Sequence, residues 1–235
     1  LACDQAIRFK RAVRAIAREY GWDATFMAKP YRDMAGSGLH VHASVETAGG
    51  ENIFACPDAD AEGRLENPTL RHAIGGVLAT LGEGMAICAP GPNSYRRFRP
   101  EAYVPMMPSW SINNRGSAVR IPLSDARNRR IEHRLAGADA NPYLVVAWML
   151  AGIHHGISQG LEPPPALLGN AYRQQGEPLP IYWPTALERF RTSEFARSYF
   201  GKPFCRLYDT VKQCELEEFH SHVTPLEVDW YMGAI

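Results

Sequence analysis

The sequence predicts an α+β domain, on three observations. Apolar residues recur at three-to-four spacing along several long segments, as helices with a covered face require. Other, shorter segments alternate apolar and polar residues, as half-covered strands do. The two kinds are interspersed without the regular strand–helix alternation of a doubly wound parallel sheet. A chain of 235 residues fits one large domain or part of a larger one, and its 46% hydrophobic content suffices for a substantial core.

The elements follow in order. Ala6, Phe9, Val13, Ile16, Ala17 and Tyr20 form the apolar side of a helix rich in arginine elsewhere, stopped at Gly21. Residues Ala24–Ala28 read as a short strand, Gly36–Gly38 as a tight loop and Leu39–Val45 as an alternating strand. Polar, Gly- and Asp-rich Glu46–Glu66 reads as a surface hairpin and loop. Asn67-Pro68 supplies a cap and first-turn residue for a helix to about Ile87. Ala89–Asn114, punctuated by five prolines, reads as mostly irregular, and a loop of that length suggests function. Strands are expected at Ser117–Ile121 and Arg130–Leu135, then a broadly apolar helix from Tyr143 to Ser158 behind Asn141-Pro142. A Pro/Gly-rich connector, Glu162–Pro184, leads to two helices, Thr185–Phe200 and Pro203–His222, and a short tail.

Composition narrows the function classes. Lys+Arg and Asp+Glu both number 25, and no basic run or zinc-finger spacing points to nucleic acid. No apolar run approaches the roughly 18 residues of a membrane span. Five scattered cysteines without a CxxC pair suit reduced thiols, so a cytoplasmic location is expected. Leu1–Asp4 carries no signal-peptide features, and the chain is expected to open inside a longer protein.

Three constellations carry chemistry. On the strand after Gly36-Ser37-Gly38, residues two apart share a face, so His40, His42 and Ser44 form a polar stripe opposite Leu39, Val41, Ala43 and Val45. Neutral imidazoles suit a divalent metal, and the glycines admit close backbone approach; a half-exposed strand facing water is the alternative. In Arg129-Arg130-Ile131-Glu132-His133-Arg134, the same period puts Arg130, Glu132 and Arg134 together. This carboxylate between guanidiniums would bind a cation while the arginines hold phosphate or carboxylate oxygens, unless it is a surface ion-pair ladder. Arg96, Arg97, Arg115 and Arg120 lie in or beside the proline-rich loop, suited to neutralising a transferring phosphoryl group or simply to solvation. Together the three favour ATP chemistry without identifying the substrate.

These stretches resemble the glutamine synthetase family. Lys29-Pro30 through Gly36-Ser37-Gly38-x-His40-x-x-x-Ser44 is similar to its ATP-binding signature. Asn93-Ser94-Tyr95-Arg96-Arg97, Asn114-Arg115, Ala118–Pro122, Arg130-Ile131-Glu132-x-Arg134 and Asn141-Pro142-Tyr143-Leu144 follow in the family's order and spacing. The resemblance implies that residues 1–235 are a single catalytic domain built on a curved, mainly antiparallel sheet flanked by helices. It implies that the family's small amino-terminal domain and first catalytic strands, with further metal carboxylates, are missing here, so that this chain alone is inactive. It also implies ATP with Mg²⁺ or Mn²⁺, glutamate and a small amine as substrates, and a homo-oligomeric ring of dodecamer type for the full-length protein.

Carried over by residue, the resemblance makes His40 and Glu132 metal ligands and places His42 and Ser44 by the ATP. Arg97 and Arg134 would hold the glutamate carboxylates, with Gly36 at the border of that site. Arg115, Arg120 and Arg130 would hold phosphates and stabilise the transferring group. Two departures bear on the acceptor. Tyr103 stands where ammonia-using members carry a glutamate that covers the site, and a neutral phenol does not trap ammonium as a carboxylate does. Ala35 replaces an asparagine just before Gly36. The expected acceptor is therefore putrescine or another alkyl amine, as in the γ-glutamylpolyamine ligase branch, toward which Ser109-Trp110-Ser111 and Val223-Thr224 also lean. The alternatives are an ordinary glutamine synthetase in which Glu101 does the missing glutamate's work, or a non-catalytic scaffold.

Overall fold

The computed structural model describes residues 1–58, 63, 65–100, 102–173 and 176–234. Helix α1 (Ala2–Glu19) opens the chain, followed by strand β1 (Val41–Ala43) and the long helix α2 (Pro68–Cys88). After a helical turn, α3 (Pro92–Tyr95), come strands β2 (Trp110–Ile112), β3 (Val119–Ile121) and β4 (Ile131–His133). Helices α4 (Pro142–Gln159), α5 (Trp183–Thr192), α6 (Glu194–Phe200), α7 (Lys202–Ser221) and α8 (Pro225–Tyr231) complete it. The strands form one sheet in the order β1-β4-β3-β2, antiparallel except for the parallel β2–β3 pair.

The expected helix starts form as their caps dictate. Asn67 Oδ1 accepts from Leu70 N at 2.9 Å, and Asn141 Oδ1 accepts from Tyr143 N at 3.0 Å, each with proline behind it in the first turn. Gly160, at φ +60°, ends α4 in the left-handed conformation that glycine adopts without strain. α2 and α4 approach closely through glycine: a Cβ on Gly76 would lie 2.2 Å from Gly152 O and 2.4 Å from Gly156 Cα. Trp148 of α4 packs over Gly84, donates from its indole to Thr80 O at 3.2 Å, and gathers Phe190, Phe195 and Phe200 from α5 and α6. One apolar core runs from these helices to Val119, Ile121, Ile131 and Leu135 beneath the sheet.

Several local expectations are corrected. Ala24–Ala28 is not a strand: among the described residues no ladder pairs with it, and its end is held by Ser37 N donating to Ala28 O and by Asn93. The 89–114 segment is mostly irregular as expected, but Trp110–Ile112 within it pairs beside β3. The helix expected over 185–200 breaks at Ser193, whose hydroxyl accepts from Ala196 N at 2.8 Å and so starts a second helix. The tail is helical too, with a Thr224/Glu227 capping box at the start of α8. α4 is only partly covered, with Leu150 exposed. α1 rests on α4 without one fully buried residue, leaving Phe9, Ile16 and Tyr20 exposed, and α8 exposes Trp230 and Tyr231. Among the described residues no helix is long and apolar enough to cross a membrane.

Candidate active site

The period-two reading of the two polar strands holds, and antiparallel pairing places one opposite the other. His42 faces Glu132 across β1–β4, and Arg120 faces Glu132 across β3–β4. Glu132, 1% exposed, therefore becomes the centre of the cluster. Arg120 Nη1 donates to its Oε2 at 2.8 Å, and Arg134 Nη1 to its Oε1 at 2.5 Å. His40 Nδ1 lies 3.3 Å and His42 Nε2 3.8 Å from that same Oε1. Arg130 Nε donates to His42 Nδ1 at 3.3 Å, and Ser44 continues the exposed stripe of β1.

The electrostatics follow from this packing. Burial pushes the Glu132 carboxyl up, but Arg134 and Arg120 outweigh it and hold it below the usual carboxylate range. Burial, reinforced by Arg134, pulls His40 down to about 4, against the pull of Glu132. His42 is lowered as well, by burial first. Both imidazoles are thus neutral near pH 7, and the accepting nitrogen of each, now facing an arginine, is of the kind that binds a cation.

The fit to a metal is visible in the arrangement. Arg134 Nη1 donates both to Glu132 Oε1 and, at 3.3 Å, to His40 Nδ1, so a guanidinium nitrogen stands where a cation between the two would stand. Among the described residues no group of three or more His, Cys, Asp or Glu converges for a metal. His40 and Glu132 fit as two members of a coordination sphere whose other positions come from elsewhere, as with Mg²⁺, which keeps waters and phosphate oxygens.

Arg97 is 3% exposed and lies in a cradle that only glycine leaves open. A Cβ on Gly36 would sit 2.9 Å from Arg97 Cγ, one on Gly38 3.4 Å from its Nη2, and one on Gly137 3.1 Å from its Nη1. Its Nη1 donates to Leu135 O at 3.2 Å; burial lowers its basicity, opposed chiefly by Asp139. Asp139 was not singled out from the sequence, because no local pattern marks a counter-ion 42 residues away; it also accepts from Ser94 Oγ at 2.5 Å and keeps a buried Oδ1 without a hydrogen-bond partner. Asn93 was read as part of a motif without a role. It clamps Lys29 on both sides, accepting from Lys29 N at 2.8 Å and donating to Lys29 O at 2.9 Å.

Arg97, Arg134, His40 and Gly36 line one cavity of about 490 Å³ that Tyr103 also borders. Tyr103 is 70% exposed and adopts φ +53°, a strained conformation for a bulky residue, and it borders a second cavity of about 510 Å³ with Arg115 and Asn114. Arg115 joins the cluster through its backbone, its carbonyl accepting from Arg134 Nη2 at 2.9 Å, and it also lines the second cavity. Of the expected residues, then, His40, His42, Glu132, Arg120, Arg130 and Arg134 form one contact network, with Arg97 and Gly36 adjoining and Tyr103 and Arg115 at the edge. Glu101 lies outside the described residues.

Comparison with known proteins gives this geometry its context. The family model described as glutamine synthetase, catalytic domain, matches residues 1–231. Gamma-glutamylputrescine synthetase PuuA of Escherichia coli is 44% identical over 98% of this chain and 48% of its own length. Gamma-glutamylethanolamide synthetase GlnA4 of Streptomyces coelicolor is 36% identical over 97% of this chain and 48% of its own length. The solved structure of apo GmaS without ligand superposes with a TM-score of 0.86 at 31% identity, over 99% of this chain and 53% of that one. The chain thus spans about half the length of the curated relatives it matches. It belongs to the glutamine synthetase family and corresponds to that family's catalytic domain.

Proposed function

We propose that the protein carrying this domain is an ATP-dependent glutamate–amine ligase whose acceptor is an alkyl amine rather than ammonia. A carboxylate oxygen of glutamate's side chain attacks the γ-phosphorus of ATP, and ADP leaves. The amine nitrogen then attacks the acyl carbon, the carbon–oxygen bond to phosphate breaks, and the amine's surplus proton departs to give the γ-glutamyl amide. Arg97 and Arg134 bind the glutamate carboxylates, with Gly36 leaving room for them. Arg115, Arg120 and Arg130 neutralise the phosphates, where charge accumulates in the transferring group. His42 and Ser44 sit toward the nucleotide. His40 and Glu132 hold a divalent ion, Mg²⁺ or Mn²⁺, which when bound neutralises phosphate charge and aligns the phosphoryl group.

The observation that carries the ligase reading is Glu132 held below the usual carboxylate range within a network of arginines and neutral imidazoles. A scaffold has no physical need for such a cluster. The acceptor reading rests on Tyr103 at the edge of both cavities, where a carboxylate would be needed to concentrate ammonium. Relatives named for putrescine and ethanolamide products support it. The catalytic domain belongs in a homo-oligomeric ring, and exposed apolar residues on α1 and α8 are consistent with further protein contacts. The test is phosphate release from ATP by the full-length protein with glutamate and Mg²⁺, ammonium and alkyl amines being supplied separately. Turnover with an alkyl amine should exceed that with ammonium at equal concentration; ammonium as the best acceptor overturns the acceptor reading.

A further inference from the structure

The cavity beside Arg97 holds four cations and, among its described lining residues, one carboxylate, Asp33. The cations suit the anionic substrate, whereas Asp33 has no part in that chemistry. It sits with Met34 and Ala35 on the loop that precedes Gly36, and Ala102, Tyr103 and Val104 supply apolar lining to the same cavity.

This loop is built to hold its shape. Asn93 clamps the Lys29 backbone from both sides, the Lys29 ammonium donates to Met34 O, and Arg99 Nη1 donates to Arg32 O at 3.1 Å. The last two contacts also engage the Lys29 and Arg99 cations with backbone carbonyls rather than with Asp33. Asp33 pairs with Arg32 at 3.9 Å, with both side chains at least 87% exposed, which is a weak, solvent-screened contact. Asp33 is therefore an available anion on a fixed wall of a cavity that also has apolar lining.

We propose that Asp33 determines acceptor specificity by receiving the second ammonium of an α,ω-diamine, whose methylenes lie along the Met34, Ala102 and Tyr103 lining while its first nitrogen reaches the reacting carbon. A primary monoamine of equal length leaves Asp33 without a partner and gains nothing from it. The inference rests on the amine-ligase reading above and deepens it by naming the class of amine.

The test uses the full-length protein with ATP, glutamate and Mg²⁺, comparing kcat/KM for putrescine with that for n-butylamine, which matches its carbon chain. In the wild type the ratio favours putrescine. In Asp33→Asn the ratio falls by about three- to tenfold, the size expected of one partly solvated charge pair, and Asp33→Glu retains most of the preference. If the wild type turns over both amines but the ratio does not move in Asp33→Asn, or falls as far in Asp33→Glu, the role of Asp33 is overturned while the ligase reading stands. If the wild type uses ammonium alone, the ligase reading for alkyl amines fails and this inference with it.

Discussion

At the scale of single residues, Glu132 links stability to the proposed chemistry. It is buried, and two guanidiniums depend on it for compensation. Replacing one partner of such a network leaves uncompensated buried charge, at a cost of about 3–5 kcal/mol. Glu132→Ala should therefore lower the melting temperature by on the order of 10 °C, checked by calorimetry, besides abolishing turnover. A variant as stable as wild type contradicts this account of the cluster. The composition of the cluster was legible in the sequence, because period two alone sorts His40 with His42 and Glu132 with Arg134. Its assembly was not: that His42 faces Glu132 is a matter of register between strands some 90 residues apart, which no local spacing encodes. Asp139 was hidden for the same reason. Its role beside Arg97 exists only once the chain brings the two together.

At the scale of elements, the α2–α4 contact is set by glycine. Gly76→Ala forces a Cβ against the backbone of Gly152 and Gly156, where no side chain can move aside. Overpacking of this kind costs typically about 1–3 kcal/mol, and the backbone on both sides places this site at the upper end. The midpoint of urea unfolding should fall accordingly; an unchanged midpoint would mean that the helices separate freely. Helix starts were readable because Asn67-Pro68 and Asn141-Pro142 combine a cap with a residue suited to the first turn. The break at Ser193 was readable in principle, as serine followed by Glu194 is a cap signal, but the surrounding apolar spacing runs through it. Ala24–Ala28 misled because only Thr25 and Phe26 favour a strand, and even these form one only where a partner exists. β2 was obscured by the prolines that dominate its neighbourhood.

At the scale of the whole molecule, buried imidazoles tie stability to pH. His133, behind the sheet, is 1% exposed, and burial pulls it down to about 4. The unfolded chain's imidazole takes up its proton near 6.5, so between about 6.5 and 4 the unfolded state binds more protons. Stability therefore rises with pH across that window and falls on acidification, by up to about 1.4 kcal/mol per pH unit from this group. Thermal midpoints measured across it should slope less steeply in His133→Gln than in wild type; parallel slopes would assign the acid sensitivity elsewhere. The fold class was legible from the mixture of periodicities, and the parallel β2–β3 pair modifies the expected sheet without changing its class.

The central claim is that this domain serves to join glutamate to an alkyl amine. The most direct measurement is mass spectrometry of the product formed by the full-length protein from ATP, glutamate and an equimolar mixture of ammonium and putrescine. The account predicts γ-glutamylputrescine as the main product, with one ADP and one phosphate released per amide. Glutamine as the main product would contradict it.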